Sequence, residues 1–186
     1  MPDFGIVRVG PFAGFFQGFE DLIASSTGMS LYFIHSRRWR ENHDAAIKTF
    51  LGRDATTLEV FLPDLENHEL MFSMGRHFDD GALIPGLVAD AYRYFARLAR
   101  DFRRPIQIRL FGRYPTYSFY RFGDRAVIAL YSNSVAKKEL PAFEIMNDSF
   151  LGRFLAADIE DLRRECRQRA PADLEAVIGN ATPLPG

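Results

Sequence analysis

Apolar residues along this chain alternate between short continuous runs and helical stripes. Residues 4–9 form a short apolar-rich run ended by Gly10-Pro11, which reads as a strand or a swung arm. Over 12–23, Phe12, Phe15, Phe16, Phe19, Leu22 and Ile23 recur at spacings of three and four, the period of an amphipathic helix that Gly14 and Gly18 weaken. Residues 29–34 are apolar without helical period and read as a buried strand. Ser36 stands where it can cap a following helix, striped by Trp39, Ala46, Ile47, Phe50 and Leu51 and stopped by Gly52. A strand over 57–62 follows, closed by Pro63-Asp64, and this strand, helix, strand order predicts a parallel unit. Asp64 is placed to cap a short helix over 66–74, before a polar hinge at Asp79-Asp80-Gly81.

The strongest helical pattern runs over 85–102 through Val88, Ala91, Tyr92, Phe95, Leu98, Ala99 and Phe102. Residues 106–111 then alternate, with Ile106, Ile108 and Leu110 on one face and Gln107 and Arg109 on the other. Two β-rich runs, 117–122 and 125–131, flank Gly123-Asp124 and predict a hairpin. A strand over 141–146 precedes a last helix over 149–168, capped by Asn147 or Asp148, with Leu151, Phe154, Leu155, Ile159 and Leu162 as its stripe. The expected fold is α/β: a mixed sheet flanked by helices on both faces. It forms one domain over 1–170, with a loosely attached proline-rich tail over 171–186.

Composition narrows the chemistry. With 186 residues and 47% hydrophobic content, one domain can bury a substantial core. The net charge of −1 gives no bulk attraction for nucleic acid or an anionic membrane. No apolar run approaches the roughly 18 residues of a membrane span, and Met1-Pro2-Asp3 lacks the basic start of a signal peptide. The single cysteine, Cys166, excludes an internal disulfide and reads as a packed residue. A cytoplasmic protein is the expectation. There is no phosphate-binding glycine loop and no G-x-S-x-G elbow. His35, His43, His68 and His77 lack metal-ligand spacing, so neither a metal nor a cofactor is expected.

Ligands of open α/β sheets sit at the carboxyl ends of strands. There the sequence places His35, Arg37, Trp39 and Asn42 at one end, and Arg113, Tyr117 and Arg121 near another. Arginine forks match phosphate oxygens and aromatic rings stack on bases, although each of these residues also has an ordinary packing or surface role. On the hairpin, Tyr117, Phe119 and Arg121 share one face, and Ser118, Tyr120 and Phe122 share the other.

The segment 117–134, YSFYRFGDRAVIALYSNS, resembles the catalytic hairpin of the phospholipase D-like superfamily, whose motif is H-x-K-x-x-x-x-D-x-x-x-x-x-x-G-[SG]-x-N. Asp124 falls on the motif aspartate and Ser132 on the serine. Tyr117 stands at the histidine, Phe119 at the lysine, Tyr131 at the glycine and Ser134 at the asparagine. Ser36, Trp39 and Asn42 resemble the early S-x-x-W-x-x-N turn of such domains, and residues 60–64 the strand that follows. The resemblance spans roughly residues 29–162 and is similar to a catalytically degenerate, single-module bacterial subgroup with no assigned activity.

The resemblance implies a phospholipase D-like half-module. In that family the histidine attacks phosphorus and the lysine balances the oxyanion. A tyrosine of pKa about 10 is a poor nucleophile, and phenylalanine cannot stabilise an anion. Loss of both argues against catalysis and implies a binding domain. Its pocket would take a phosphorylated small molecule or nucleotide, through His35, Arg37, Trp39, Asn42, Arg113, Tyr117, Phe119, Arg121 and Ser132. The superfamily's enzymes pair two modules, so a homodimer is implied. Two other readings stay open: a phosphodiesterase or nuclease using His35, Tyr117 or Asp124, and a structural or partner-binding module whose pocket is filled by its own side chains.

Overall fold

The chain is described by a computed structural model over residues 3–78, 83–132 and 139–180. Its apolar runs become β1 (Ile6–Pro11), β2 (Gly28–Tyr32), β3 (Thr57–Pro63), β4 (Ile106–Phe111), β5 (Tyr117–Phe122), β6 (Arg125–Leu130), β7 (Pro141–Met146) and β8 (Arg167–Arg169). Its stripes become α1 (Phe16–Ser25), α2 (Arg37–Gly52), α3 (His68–Phe78), α4 (Ile84–Phe102), α5 (Phe150–Glu165) and α6 (Leu174–Asn180). The strands form one eight-stranded sheet ordered β1-β7-β6-β5-β2-β3-β4-β8. β2, β3 and β4 are parallel, and every other neighbouring pair is antiparallel. The sheet is therefore mixed, as the Gly-Asp hairpin requires.

β3 sits at the centre of the parallel part, and all its residues after Thr57 are buried, which explains its unbroken apolar run. On one face α1, α2 and α4 bring Phe19, Trp39 and Phe95 against Phe33 and Tyr120 of the sheet side. On the other face α5 crosses from β7 toward β4, and Arg163 reaches the middle of the sheet. Gly123, with φ of 38°, makes the two-residue hairpin turn, which Asn147 brackets by donating to the carbonyls of Gly123 (2.7 Å) and Arg125 (3.2 Å).

Several caps and one terminus differ from expectation. Ser36 is left-handed (φ 42°) and does not cap α2; its hydroxyl meets Tyr120 Oη at 2.6 Å. Asp64 is not a helix cap. Its carboxylate accepts from the Glu66 backbone (3.1 Å) and pairs with Arg167, while Asn67 accepts from Leu70 N (3.0 Å) at the start of α3. Ser149, not Asn147 or Asp148, caps α5 by accepting from Gly152 N at 3.1 Å. Residues beyond 170 are not all a loose tail. After β8 joins the sheet, a short 3₁₀ turn (Pro171–Asp173) and α6 dock on α4, burying Leu174 and Val177. The Asp79-Asp80-Gly81 hinge and Ser134 lie outside the described residues.

Candidate functional site

The hairpin register places the motif positions with no freedom to slip. Tyr117 pairs with Leu130, and Phe119 pairs with Ile128 on β6 and Tyr32 on β2. The histidine and lysine positions therefore stand at the carboxyl end of the parallel strands, facing α5, where the family resemblance puts a catalytic centre. What fills that place is a cluster of rings. Phe119 is 0% exposed. It packs on Tyr32 with centroids 5.3 Å apart, on Phe61 at 6.1 Å and on Tyr117 at 6.4 Å. Tyr32 also meets Phe111 at 4.9 Å and Tyr117 at 5.9 Å.

Tyr117 is half-buried, and its hydroxyl donates to the Asp158 carboxylate of α5. Burial, and then that hydrogen bond, hold the phenol well above its ordinary pKa. Tyr32 is raised the same way, chiefly by burial. Neither oxygen is a nucleophile near neutral pH. Cys166, half-buried at the end of α5, has its thiol pushed up to about 11 by burial and so carries little thiolate. Asp124 lies at the other end of the hairpin, 86% exposed and 3.8 Å from Arg125. Five further residues of β5 and Gly123 separate it from Tyr117, about 20 Å, so the two cannot act on one phosphorus.

The remaining residues expected at the site do not converge on one pocket. Trp39 is 1% exposed and packs among Phe19, Phe33, His43 and Tyr120 on the opposite face of the sheet. Its indole nitrogen has no hydrogen-bond partner among the described residues. Arg37 is exposed and pairs with Glu41 at 2.8 Å, and Asn42 is exposed on α2. His35 is half-buried, its Nδ1 accepting from Arg37 N at 3.2 Å. Arg113, exposed, pairs with Glu165 of α5. The Ser132 carbonyl accepts from His77 Nε2 at 2.5 Å, and the His77 ring lies 5.1 Å from Tyr114. Arg121 shares the Tyr117 face but lies two positions beyond Phe119, toward the amino ends of the parallel strands.

Asp158 and Glu59 are the polar residues that sequence patterning passed over. Asp158 was visible in principle, because it falls seven after Leu151 and three after Leu155 on the inward face of α5. Glu59 carried no such signal. It is a carboxylate with 8% side-chain exposure inside an apolar strand, held by Arg109 (2.7 Å) and Arg163 (2.7 Å). Burial alone would raise its pKa, but hydrogen bonds from Arg163 and Arg109 outweigh burial and lower it. Among the described residues, no three His, Cys, Asp or Glu side chains converge to hold a metal ion, and no helix is long and apolar enough to cross a membrane.

No protein-family model and no curated protein matches this sequence. Solved structures do. The phosphatidylserine synthase of Haemophilus influenzae Rd KW20 superposes with a TM-score of 0.60 at 12% identity, covering 88% of this chain and 40% of that one. Nuc, a phospholipase D family member from Salmonella typhimurium, superposes with a TM-score of 0.54 at 14% identity, covering 88% of this chain and 97% of Nuc. TrmBL2, an archaeal chromatin protein with a novel mode of DNA binding, gives 0.52 at 12% identity over 86% of this chain and 51% of its own. The chain thus spans about half of the chromatin protein, two-fifths of the synthase and nearly all of Nuc. These identities speak to architecture alone: the chain has a phospholipase D-like fold.

Proposed function

We propose that this chain is a non-catalytic phospholipase D-like module that works by association, with a second copy of itself as its partner. The observation that carries the first half is Phe119, sealed at 0% exposure where the family's lysine would stand. A ligand entering there would have to displace that ring and break the Tyr117–Asp158 hydrogen bond. The pocket is occupied by the protein's own side chains, which favours the partner-binding reading over a phosphate sensor at this end of the sheet.

The two edges of the sheet support the second half. β8 ends one side as three residues, Arg-Gln-Arg, the short charged form that blunts an edge against pairing. β1 ends the other side as six residues, none of them buried, with Ile6 (50%), Val7 (48%) and Val9 (69%) open to solvent. Phe4, Phe150 and Phe154 extend this apolar band onto the start of α5. Such a band marks an interaction surface. Its one charge, Arg8, is turned back on its own chain, donating to the Gly14 carbonyl (2.7 Å) and lying over Phe15 (4.4 Å). Two copies of β1 related by a two-fold axis would therefore pair without opposing free like charges.

Sedimentation and turnover assays test both halves. The wild-type chain is expected to run as a dimer and Val9→Lys as a folded monomer. Neither is expected to hydrolyse bis(p-nitrophenyl) phosphate or single-stranded DNA. A wild-type monomer at micromolar concentration defeats the association half. Turnover abolished by Tyr117→Phe defeats the non-catalytic half.

A further inference from the structure

A polar recess lies at the opposite end of the sheet from the motif residues. It opens at the amino ends of the parallel strands, beneath the hairpin turn, and encloses about 550 Å³. Ser30, Thr57, Glu59, Gln107, Arg121 and Arg163 supply its polar lining. That volume falls within the roughly 300–1,000 Å³ of small-molecule sites.

The charges around this recess do not cancel. Glu59 is engaged by Arg109 and Arg163, and Arg163 also pairs with Glu160. Two guanidinium groups, Arg109 and Arg163, thus take up both carboxylates, and a third stands beside them. The one left over is Arg121: among the described residues it makes no ion pair, and its Nε is buried without a hydrogen-bond partner. Arg121 is half-buried; burial and the neighbouring Arg163 charge pull its pKa below the ordinary value, Glu160 and Glu59 offset this in part, and among the described residues no carboxylate contacts the guanidinium directly. An anion would relieve that, since a guanidinium fork matches carboxylate or phosphate oxygens in pairs. Ser30, Thr57 and Gln107 offer hydroxyl and amide partners to a polar body attached to the anionic head.

We propose that this recess is a binding site for a small polar molecule with a phosphate or carboxylate head, held by Arg121. It is independent of the motif end of the hairpin and does not rest on the self-association reading.

The test is an amide NMR titration of the full chain with inorganic phosphate and, separately, with citrate. At least one anion is expected to give saturable shifts at Gly28, Ser30 and Gly123. Arg121→Gln should weaken that binding by about tenfold or more, and Arg121→Lys should retain part of it. Gln107→Ala, at an exposed lining position, should weaken it without touching the guanidinium. Lys48→Gln, on the exposed side of α2, should leave it unchanged. Phosphate-only or citrate-only binding at these amides identifies the head group and upholds the site. The proposal is overturned if neither anion shifts them, or if Arg121→Gln binds as well as wild type.

Discussion

If Phe119 is core and not a stacking platform, truncating it must unfold the protein readily. Phe119→Ala removes a ring that is fully buried and ringed by Tyr32, Phe61 and Tyr117. Transfer of the lost atoms from an apolar site accounts for ~1.5–3 kcal/mol. The void adds to this, because aromatic neighbours held by a sheet and by α5 cannot collapse into it, giving about 3–5 kcal/mol in all. For a chain of this size the melting temperature should fall by roughly 6–20 °C, at about 2–4 °C per kcal/mol. Urea unfolding followed by far-ultraviolet circular dichroism, at one fixed protein concentration, measures the loss directly. Phe72→Ala is the matched control: Phe72 is 53% exposed on α3, and its removal should change stability by no more than about 0.5 kcal/mol. A Phe119→Ala loss below about 1 kcal/mol with an unchanged urea slope would refute the packed-pocket argument and return the ring to a ligand-facing role.

Two further outcomes follow from the same geometry. Glu59 is a carboxylate with a depressed pKa, so its stabilising effect is complete above the unfolded value of about 4.3 and fades as pH falls through the lower folded value. The wild-type advantage over Glu59→Gln, about 2 kcal/mol near neutrality, should shrink on acidification in urea midpoints taken from about pH 7 to pH 3; an advantage that grows toward acid is incompatible with this ion pair. Ser149→Ala should cost about 1 kcal/mol by uncapping α5, whereas Asp148→Ala should leave midpoints within about 0.5 kcal/mol, and equal losses would contradict the cap seen at Gly152 N.

Strands and helices were legible because burial imposes a period. The run over 57–62 became β3, and the stripe through Val88, Tyr92 and Phe95 became α4, since only those spacings hide their apolar atoms. Caps were less legible. Asn147, Asp148 and Ser149 are all competent, and only the backbone path decides which of them meets a free amide. Docking of the C-terminus was hidden by its prolines, although Leu174 and Val177, three apart, carry the signal of a short buried face. The candidate site was half legible. The strand period put Tyr117 and Phe119 on one face of the hairpin, as the structure has them, but it cannot tell an open pocket from one closed by a distant helix. The recess at the other end was illegible, because Ser30, Glu59, Gln107, Arg121 and Arg163 come from five separate elements.

Tyr117, Phe119 and Asp158 form a packing solution at the carboxyl end of the parallel strands. A lysine at position 119 would be a charge in a cluster of Tyr32, Phe61, Phe111 and Tyr117, with desolvation opposing it and no carboxylate among those rings. Phenylalanine instead gains the burial. A histidine at 117 would not extend as far toward α5 as tyrosine, whose hydroxyl reaches Asp158 and ties the helix to the hairpin. Tyr117, Phe119 and Asp158 are thus mutually consistent: each favours the closed arrangement that the others need. Closing that end stabilises the contact between α5 and the sheet. The free edge at β1 is apolar where the opposite edge is short and charged, and Arg121 in the recess at the amino ends of the parallel strands has a buried Nε with no hydrogen-bond partner among the described residues.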